Sequence, residues 1–149
     1  MKIYLARPIS GCDYDEVVSY YRKTSVILKA RGYEVMHPMV AKNLLRGENR
    51  IKPSGYTAPL CTDHAILERD RWMVQRSDVV MMNLLGARRV SIGCVAELAF
   101  GHVYGKYNVV LMEKENLHRH AFVLDMASII FETEDEALTY LHALSYGKI

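Results

Sequence analysis

The sequence of 149 residues is poor in cysteine and has no strong excess of charge of either sign. Its three cysteines, Cys12, Cys61 and Cys94, are an odd number without CxxC spacing. A secreted disulfide framework and a cysteine-based zinc site are therefore both disfavoured. The formal net charge of +2 is too small for a nucleic-acid polymer as partner, because such partners require a dense basic stripe. A small anionic ligand needs only a local positive pocket and stays compatible.

Long apolar runs are also missing. The first apolar stretch, residues 3–6, ends at Arg7-Pro8 and is too short for a signal peptide. No later run approaches the length that spans a membrane. We therefore expect a cytoplasmic protein with no membrane partner.

The histidine pattern offers little to a metal ion. None of the six histidines belongs to an HExxH motif or to another close metal-binding spacing. His118 and His120 form one possible pair of ligands, but the sequence shows no third ligand near them. We expect no metal site.

The sequence does contain a regular alternation of strand and helix patterns. Apolar runs predict strands over residues 3–6, 33–36, 78–84, 107–112 and 128–131, and helical spacing predicts helices over 13–30, 63–76, 92–104, 118–126 and 133–144. Such alternation is typical of a parallel sheet covered on both faces. Asp63 is expected to cap the helix over 63–76, and residues 133–136 fit a capping box for the last helix. We predict a single α/β domain over residues 1–149, a flavodoxin- or Rossmann-like three-layer sandwich with a five-stranded parallel sheet of order 2-1-3-4-5.

In such a sheet, ligands bind at the carboxyl ends of the strands near the switch in strand order. Here the loops after Ala6 and Leu84 are expected to meet at that point. Residues 47–62 contain two prolines and two glycines without a usable period, which indicates a long loop. Long loops in compact domains are often functional, as lids or binding segments.

The first candidate group for chemistry is Ser91-Ile92-Gly93, followed by Glu97. Ser91 occupies the position of a helix N-cap, and Gly93 permits close approach of another group to the backbone. A helix N-terminus with a hydroxyl and free N–H groups can bind an anion. The helix dipole would favour ionised Glu97, as a carboxylate nucleophile requires. A simple cap followed by an exposed acid would show the same spacing.

The second candidate is Asp70, which lies on the apolar face of the predicted helix 63–76, between Ile66 and Met73. An acid there is unfavourable unless it is paired or faces a cleft. Burial would raise its pKa and suit a general acid that protonates a leaving base. An ion pair with Arg69, Arg71 or Arg76 is the alternative explanation.

The third candidate is the turn after the first strand, residues 7–11, with Arg7, Ile9, Ser10 and Gly11. A polar, glycine-containing loop at this edge of a sheet can bind phosphate or sugar hydroxyls, and Arg7 supplies charge. The turn is neither a Walker loop nor GxGxxG, and alone it indicates little.

Taken together, these positions resemble the nucleoside 2-deoxyribosyltransferase family and its 2′-deoxynucleoside 5′-monophosphate N-glycosidase relatives. The resemblance covers nearly the whole chain. It is carried by residues 3–11, Arg69-Asp70, residues 77–80, Ser91-Ile92-Gly93, Glu97-Leu98 and Lys106.

The resemblance implies a retaining two-step reaction on a nucleoside or nucleotide, without metal or organic cofactor. Glu97 would attack the anomeric carbon, and Asp70 would protonate or orient the leaving base. Tyr4 matches a tyrosine that lies near sugar and nucleophile in the hydrolase relatives. The family also implies a homo-oligomer, dimer or higher, in which a neighbouring subunit completes each pocket. Residues 118–126 and the C-terminal residues are the segments expected to do so.

One departure from the transferase pattern concerns the substrate. The transferases usually carry an acid where this chain has Ser91, and that acid contacts the sugar 5′-hydroxyl. The monophosphate N-glycosidases carry a serine there, which contacts phosphate, and a hydroxyl at a helix N-terminus suits that anion. Residues 83–87 instead look like bacterial and phage proteins called deoxyribosyltransferases. Transfer and hydrolysis therefore both remain open.

Two other classes fit the same architecture. A non-catalytic nucleotide-binding sensor could share the fold, because fold does not fix function. The acids Glu97 and Asp70 argue against it, since a pure binder of anions gains nothing from nearby carboxylates. A flavodoxin-like redox module would use a hydroxyl-rich phosphate loop after the first strand, where this chain has only Ser10 before Gly11.

Overall fold

A computed structural model describes residues 1–147 and shows one parallel sheet. Its strands are β1 (Lys2–Ala6), β2 (Glu34–Met36), β3 (Val79–Asn83), β4 (Tyr107–Leu111) and β5 (Ile129–Phe131). They lie in the order β2-β1-β3-β4-β5, and every neighbouring pair is parallel. The predicted five-stranded parallel sheet and its order are confirmed.

Five helices connect the strands and cover both faces of the sheet: α1 (Tyr14–Ala30), α2 (Asp63–Arg76), α3 (Ile92–Val103), α4 (Ala121–Met126) and α5 (Glu134–Tyr146). Because successive side chains of a strand point to opposite faces, β1 contributes to two cores. Ile3 and Leu5 pack with residues of α1 and α5, whereas Tyr4 and Ala6 pack with residues of α2, α3 and α4. Within residues 1–147, no helix has the length and apolar character needed to cross a membrane.

The helix boundaries follow from local capping. Ser91 caps α3, as predicted, and Thr133 caps α5 while its hydroxyl donates to the Glu136 carboxylate. Asp63 was predicted to cap α2, but the cap is Thr62, whose hydroxyl accepts from the Ala65 N–H. The predicted helix 118–126 begins only at Ala121.

The segment between β2 and α2 is more ordered than the sequence predicts. It contains two 3₁₀ turns, Asn43–Leu45 and Pro59–Cys61, and several of its side chains are buried, among them Leu45, Ile51 and Cys61. Ile51 exchanges backbone hydrogen bonds with the β1–α1 loop: its carbonyl accepts from Gly11 and its N–H donates to Cys12. The segment therefore packs against the carboxyl end of β1 and forms one wall of the site.

Candidate active site

A cavity of about 480 Å³ opens at the carboxyl edge of the sheet, where the loop after β1 meets the start of α3. Its walls come from the β1–α1 loop, the β2–α2 segment, α2, and the first turns of α3. The lining includes most of the side chains singled out in the sequence: Arg7, Ile9, Ser10, Asp70, Ser91, Gly93 and Glu97. The prediction that the loops after β1 and β3 meet at a ligand site is thus supported by geometry.

Glu97 lines this cavity, whereas Tyr4 lies behind it in the core and is not part of the lining. The Tyr4 hydroxyl donates a hydrogen bond of 2.7 Å to Glu97 Oε1, joining β1 to α3 across the core. Tyr4 is fully buried and Glu97 is 9% exposed. Burial and the Glu97 carboxylate raise the pKa of Tyr4 well above its usual value, so its phenol stays a donor. This hydrogen bond engages Oε1 of the carboxyl and not Oε2.

The pKa of Glu97 is raised, first by burial and then by the charge of Asp70, while the Tyr4 hydrogen bond and Lys42 act in the opposite direction. The helix dipole had suggested a carboxyl that is easily ionised. The structure shows the reverse direction, because loss of hydration around a buried charge outweighs the partial charge of a helix end. Glu97 lies in the second turn of α3, where the dipole has already weakened.

Asp70 projects from α2 into the same cavity and is mostly buried. Burial raises its pKa, as expected from the apolar face it occupies, and Lys42 and Arg69 oppose the shift. Its ion-pair partner is Lys42, with 4.0 Å between Nζ and Oδ2. The arginine pairs considered from the sequence are not formed, since Arg71 pairs with Glu68 and Arg76 lies over the Trp72 ring.

Ser91 and Gly93 form the rim of the cavity at the start of α3. The Ser91 hydroxyl accepts from the Cys94 N–H, and the Ser91 N–H donates 2.8 Å to His118 Nε2. Because Nε2 accepts this bond, Nδ1 carries the ring proton and donates to Asn116 Oδ1. Burial lowers the pKa of His118. A Cβ added at Gly93 would meet no atom within 4 Å, so this glycine opens space beside the carboxylates.

The turn after β1 provides a cationic wall. The Arg7 guanidinium stacks on the Tyr20 ring, 4.5 Å from its centroid, and Arg89 donates to the Ser10 carbonyl. Gly11 adopts a φ of 79°, and a side chain there would clash with Arg89. Gly11 lines an adjoining cavity of about 970 Å³, which shares Arg7, Ser10 and Arg89 with the first.

Three site residues were missed from the sequence. Lys42 reads as an ordinary surface lysine in a loop, and Arg89 as part of a solvated loop. His118 was considered as a metal ligand and as part of the segment 118–126, but its contact with the Ser91 backbone was not foreseen. His120 caps α4 instead of joining it. In the part of the chain that the structure describes, residues 1–147, three or more His, Cys, Asp or Glu side chains nowhere cluster as a metal site would require.

Comparison with known families gives a match over almost the full length of the chain. The profile of the nucleoside 2-deoxyribosyltransferase family matches residues 3–138. The chain belongs to this family. The resemblance drawn from the sequence motifs is thereby confirmed, and comparison with curated proteins gives no significant match.

Solved structures of similar fold include enzymes of two kinds. A 2-deoxyribosyltransferase from Bacillus psychrosaccharolyticus is 17% identical, with 94% of this chain and 92% of that chain covered and a TM-score of 0.68. A 2-deoxyribosyltransferase from Leishmania mexicana is 16% identical, with coverage of 95% and 96% and a TM-score of 0.64. The CMP N-glycosidase BcmB from Clostridium botulinum is 15% identical, with coverage of 97% and 99% and a TM-score of 0.59. At these identities the likeness establishes the shared fold.

Proposed function

We propose that the protein cleaves the N-glycosidic bond of a 2′-deoxynucleoside or its 5′-monophosphate, with Glu97 as nucleophile. The observation that carries this proposal is that Glu97, held by a buried hydrogen bond from Tyr4, lines the same cavity as Asp70. A pair of inward-facing carboxyls is the arrangement that glycosidic bond cleavage requires. The family match supports the same class of reaction.

In the first step, ionised Glu97 attacks the anomeric carbon with Oε2, and the bond to the base nitrogen breaks. A covalent glycosyl ester on Glu97 results, and the base departs with the electron pair. The Tyr4 hydroxyl holds the other oxygen and orients the carboxylate. Asp70 is placed to orient the base or to assist its protonation. Water or a second base then attacks the ester and restores Glu97.

A 5′-monophosphate is favoured as substrate by the rim of the cavity. Ser91 accepts from Cys94 N–H, so its hydroxyl proton is available to an acceptor in the cavity. The first N–H groups of α3 have no intrahelical acceptor and can face an anion. Arg7 and Arg89 add positive charge to the same wall. A carboxylate in place of Ser91 would repel phosphate, so the serine supports a monophosphate substrate and leaves transfer and hydrolysis both open.

The proposal includes a homo-oligomer, dimer or higher. Val90 and Ile92 line the cavity and are exposed, Ile92 to 83%. Leu117, before α4, and Phe122, within α4, are exposed as well. Exposed apolar side chains are a common feature of subunit contacts when they cluster. Residues 148–149, part of the C-terminal segment expected to contribute, lie outside the described residues. Light scattering of the wild type and of Phe122→Asp measures this: an oligomer that the variant weakens supports the contact, and a monomeric active wild type contradicts it.

The activity is tested by incubating the protein with the four deoxynucleoside monophosphates and the matching deoxynucleosides, with and without free adenine. Free base and deoxyribose 5-phosphate formed only from monophosphates would establish a nucleotide N-glycosidase with Ser91 at the phosphate. A new deoxynucleoside formed only when adenine is present would establish a deoxyribosyltransferase. Tight binding without turnover would support the sensor alternative, and a yellow protein retaining FMN the redox alternative.

A further inference from the structure

The catalytic cavity contains a cation whose role the proposed reaction has not used. The Lys42 side chain is only 2% exposed, and the residue lines the cavity together with Asp70 and Glu97. Lysine is almost never buried to this extent unless it is paired. Removing its ammonium from water is unfavourable unless an anionic partner and hydrogen bonds replace the lost hydration.

The pairing of Lys42 is incomplete. At 4.0 Å from Nζ, Asp70 Oδ2 is near enough for charge attraction but too far for a hydrogen bond. The other oxygen, Asp70 Oδ1, is buried and has no hydrogen-bond partner among residues 1–147. A buried pair with unmade hydrogen bonds lowers the stability of a fold. A ligand in the cavity that completes those hydrogen bonds would explain why the Lys42–Asp70 pair is retained.

The backbone around Lys42 holds the side chain in this place. Ala41, immediately before it, has a φ of 60°, and it is the one non-glycine residue among residues 1–147 with a positive φ. Alanine in this region is strained, and such residues concentrate at functional sites. The Lys42 N–H donates to the Met39 carbonyl, and its carbonyl accepts from Leu45 at the first 3₁₀ turn. The chain therefore bends in an unfavourable conformation just where it turns the lysine inward.

We propose that Lys42 is the proton donor to the departing base and that Asp70 is the residue that positions it. This inference rests on the proposed N-glycosidic reaction. As the bond between the anomeric carbon and the base nitrogen breaks, its electron pair moves onto the base. One N–H proton of the Lys42 ammonium passes to a ring nitrogen or carbonyl oxygen of the base, which leaves neutral. The neutral amine takes a proton from solvent before the next cycle.

The electrostatic surroundings suit a proton donor. Burial lowers the pKa of Lys42, and Arg69 acts in the same direction, whereas Asp70, Glu97 and Cys61 oppose the shift. A lysine with a lowered pKa transfers its proton more readily near neutral pH than an exposed one. An arginine at this place would keep the charge but could not release a proton.

The test compares each variant on two substrates that differ in how easily the base leaves. The natural base that the wild type releases is paired with an activated analogue, 5-nitrouracil for a pyrimidine or 7-methylguanine for a purine, which departs without needing a proton. We expect Lys42→Met to lower kcat/KM for the natural base by about 100-fold and for the activated base by less than about 5-fold. The ratio of the two rates is taken on the same sample, so a reduced folded fraction does not alter it.

Lys42→Arg separates proton donation from charge. If Lys42 donates a proton, Lys42→Arg should lose activity on the natural base and keep it on the activated base, as Lys42→Met does. Recovery of the natural-base rate by Lys42→Arg would overturn the proposal, because charge alone would then suffice. An equal loss of rate on both substrates would also overturn the proposal. It would show that Lys42 acts on the Glu97 carboxylate and not on the leaving base. Failure of the proposed function is seen separately, as unchanged base release by Glu97→Gln.

Discussion

Two carboxylates of α2, Glu68 and Asp70, are two residues apart and differ in burial and in pairing. Glu68 faces outward, and its carboxylate lies 2.6 Å from the Arg71 guanidinium at the surface. Arg71 lowers the pKa of Glu68. Asp70 faces inward, is mostly buried, and has its nearest cation at 4.0 Å. Burial raises its pKa instead.

The two regions differ in how well their carboxylates are satisfied, at the surface in one case and in the cavity in the other. The Glu68–Arg71 pair satisfies its charges and contributes little to stability, as surface pairs do. The inward carboxyls, Asp70 and Glu97, keep their charges poorly satisfied in a cavity that can admit a ligand. Perturbed carboxyls in a cavity are typical of catalytic groups. Glu68 is therefore the matched control for each inward carboxyl.

The largest contrast is expected from replacing Glu97, the proposed nucleophile. Glu97→Gln removes the charge and the nucleophilic oxygen with almost no change in shape, and base release should fall at least about 1,000-fold. Glu68→Gln, the outward control, should keep the wild-type rate. Chromatography of released base measures both, and near-normal activity of Glu97→Gln would refute its assignment.

A smaller but still large effect is expected at Asp70. Asp70→Asn should lower kcat/KM by about 100-fold, because the group that orients the base or its proton donor is lost. Since the charge of Asp70 raises the pKa of Glu97, the variant should also move the acidic limb of the pH–rate profile to lower pH. A limb that stays in place would show that the two carboxyls do not interact.

Tyr4→Phe should move the acidic limb of the pH–rate profile to higher pH, opposite to Asp70→Asn. The hydroxyl stabilises ionised Glu97, and a hydrogen bond to a charged group contributes about 1.5–3 kcal/mol. Its loss should raise the pKa of Glu97 by about one to two pH units. As the pH is lowered, activity should then begin to fall at a higher pH than in the wild type. The pH–rate profiles of the two variants, shifted to opposite sides of the wild type, measure the contrast directly. Shifts to the same side would be inconsistent with it.

The smallest expected effect is on stability. Burial gives the Glu97 carboxyl a higher pKa in the folded than in the unfolded chain, so it destabilises the fold as pH rises through that interval. Glu97→Gln should raise the melting temperature at neutral pH by roughly 3 °C or more. The gain should vanish below about pH 4, where the acid is protonated in both states. Glu68→Gln should change the melting temperature little at either pH, and a destabilised Glu97→Gln would contradict the account.

The fold could be predicted almost entirely from the sequence, because apolar periodicity and capping residues act over a few positions. The strands, the cap at Ser91 and the capping box at Thr133 follow from such local patterns. The strand order was predicted from the likeness of the strand–helix alternation to flavodoxin-like sheets. The residues carried by family motifs, Asp70 and Glu97, were also located in one cavity as expected. Helix ends were placed less well where two candidate caps adjoin, as at Thr62 and Asp63.

The rest of the site could not be predicted because it depends on contacts between distant parts of the chain. Lys42 reaches the cavity only when the β2–α2 segment packs on β1, and nothing in its neighbours along the sequence signals burial. The direction of the Glu97 pKa shift likewise depends on burial and on Asp70, 27 positions earlier in the sequence. His118 reaches the Ser91 backbone through tertiary packing alone.

The most direct test of the central claim is to trap the glycosyl–enzyme intermediate. The protein is mixed with the substrate it turns over, or with a 2′-fluoro analogue that slows the second step, then quenched in acid, digested and analysed by mass spectrometry. We predict a mass increase of one sugar, with its phosphate if the substrate is a nucleotide, on the peptide that contains Glu97, and none in Glu97→Gln. An adduct on another residue, or turnover of the analogue without any adduct, would contradict the assignment of Glu97 as nucleophile.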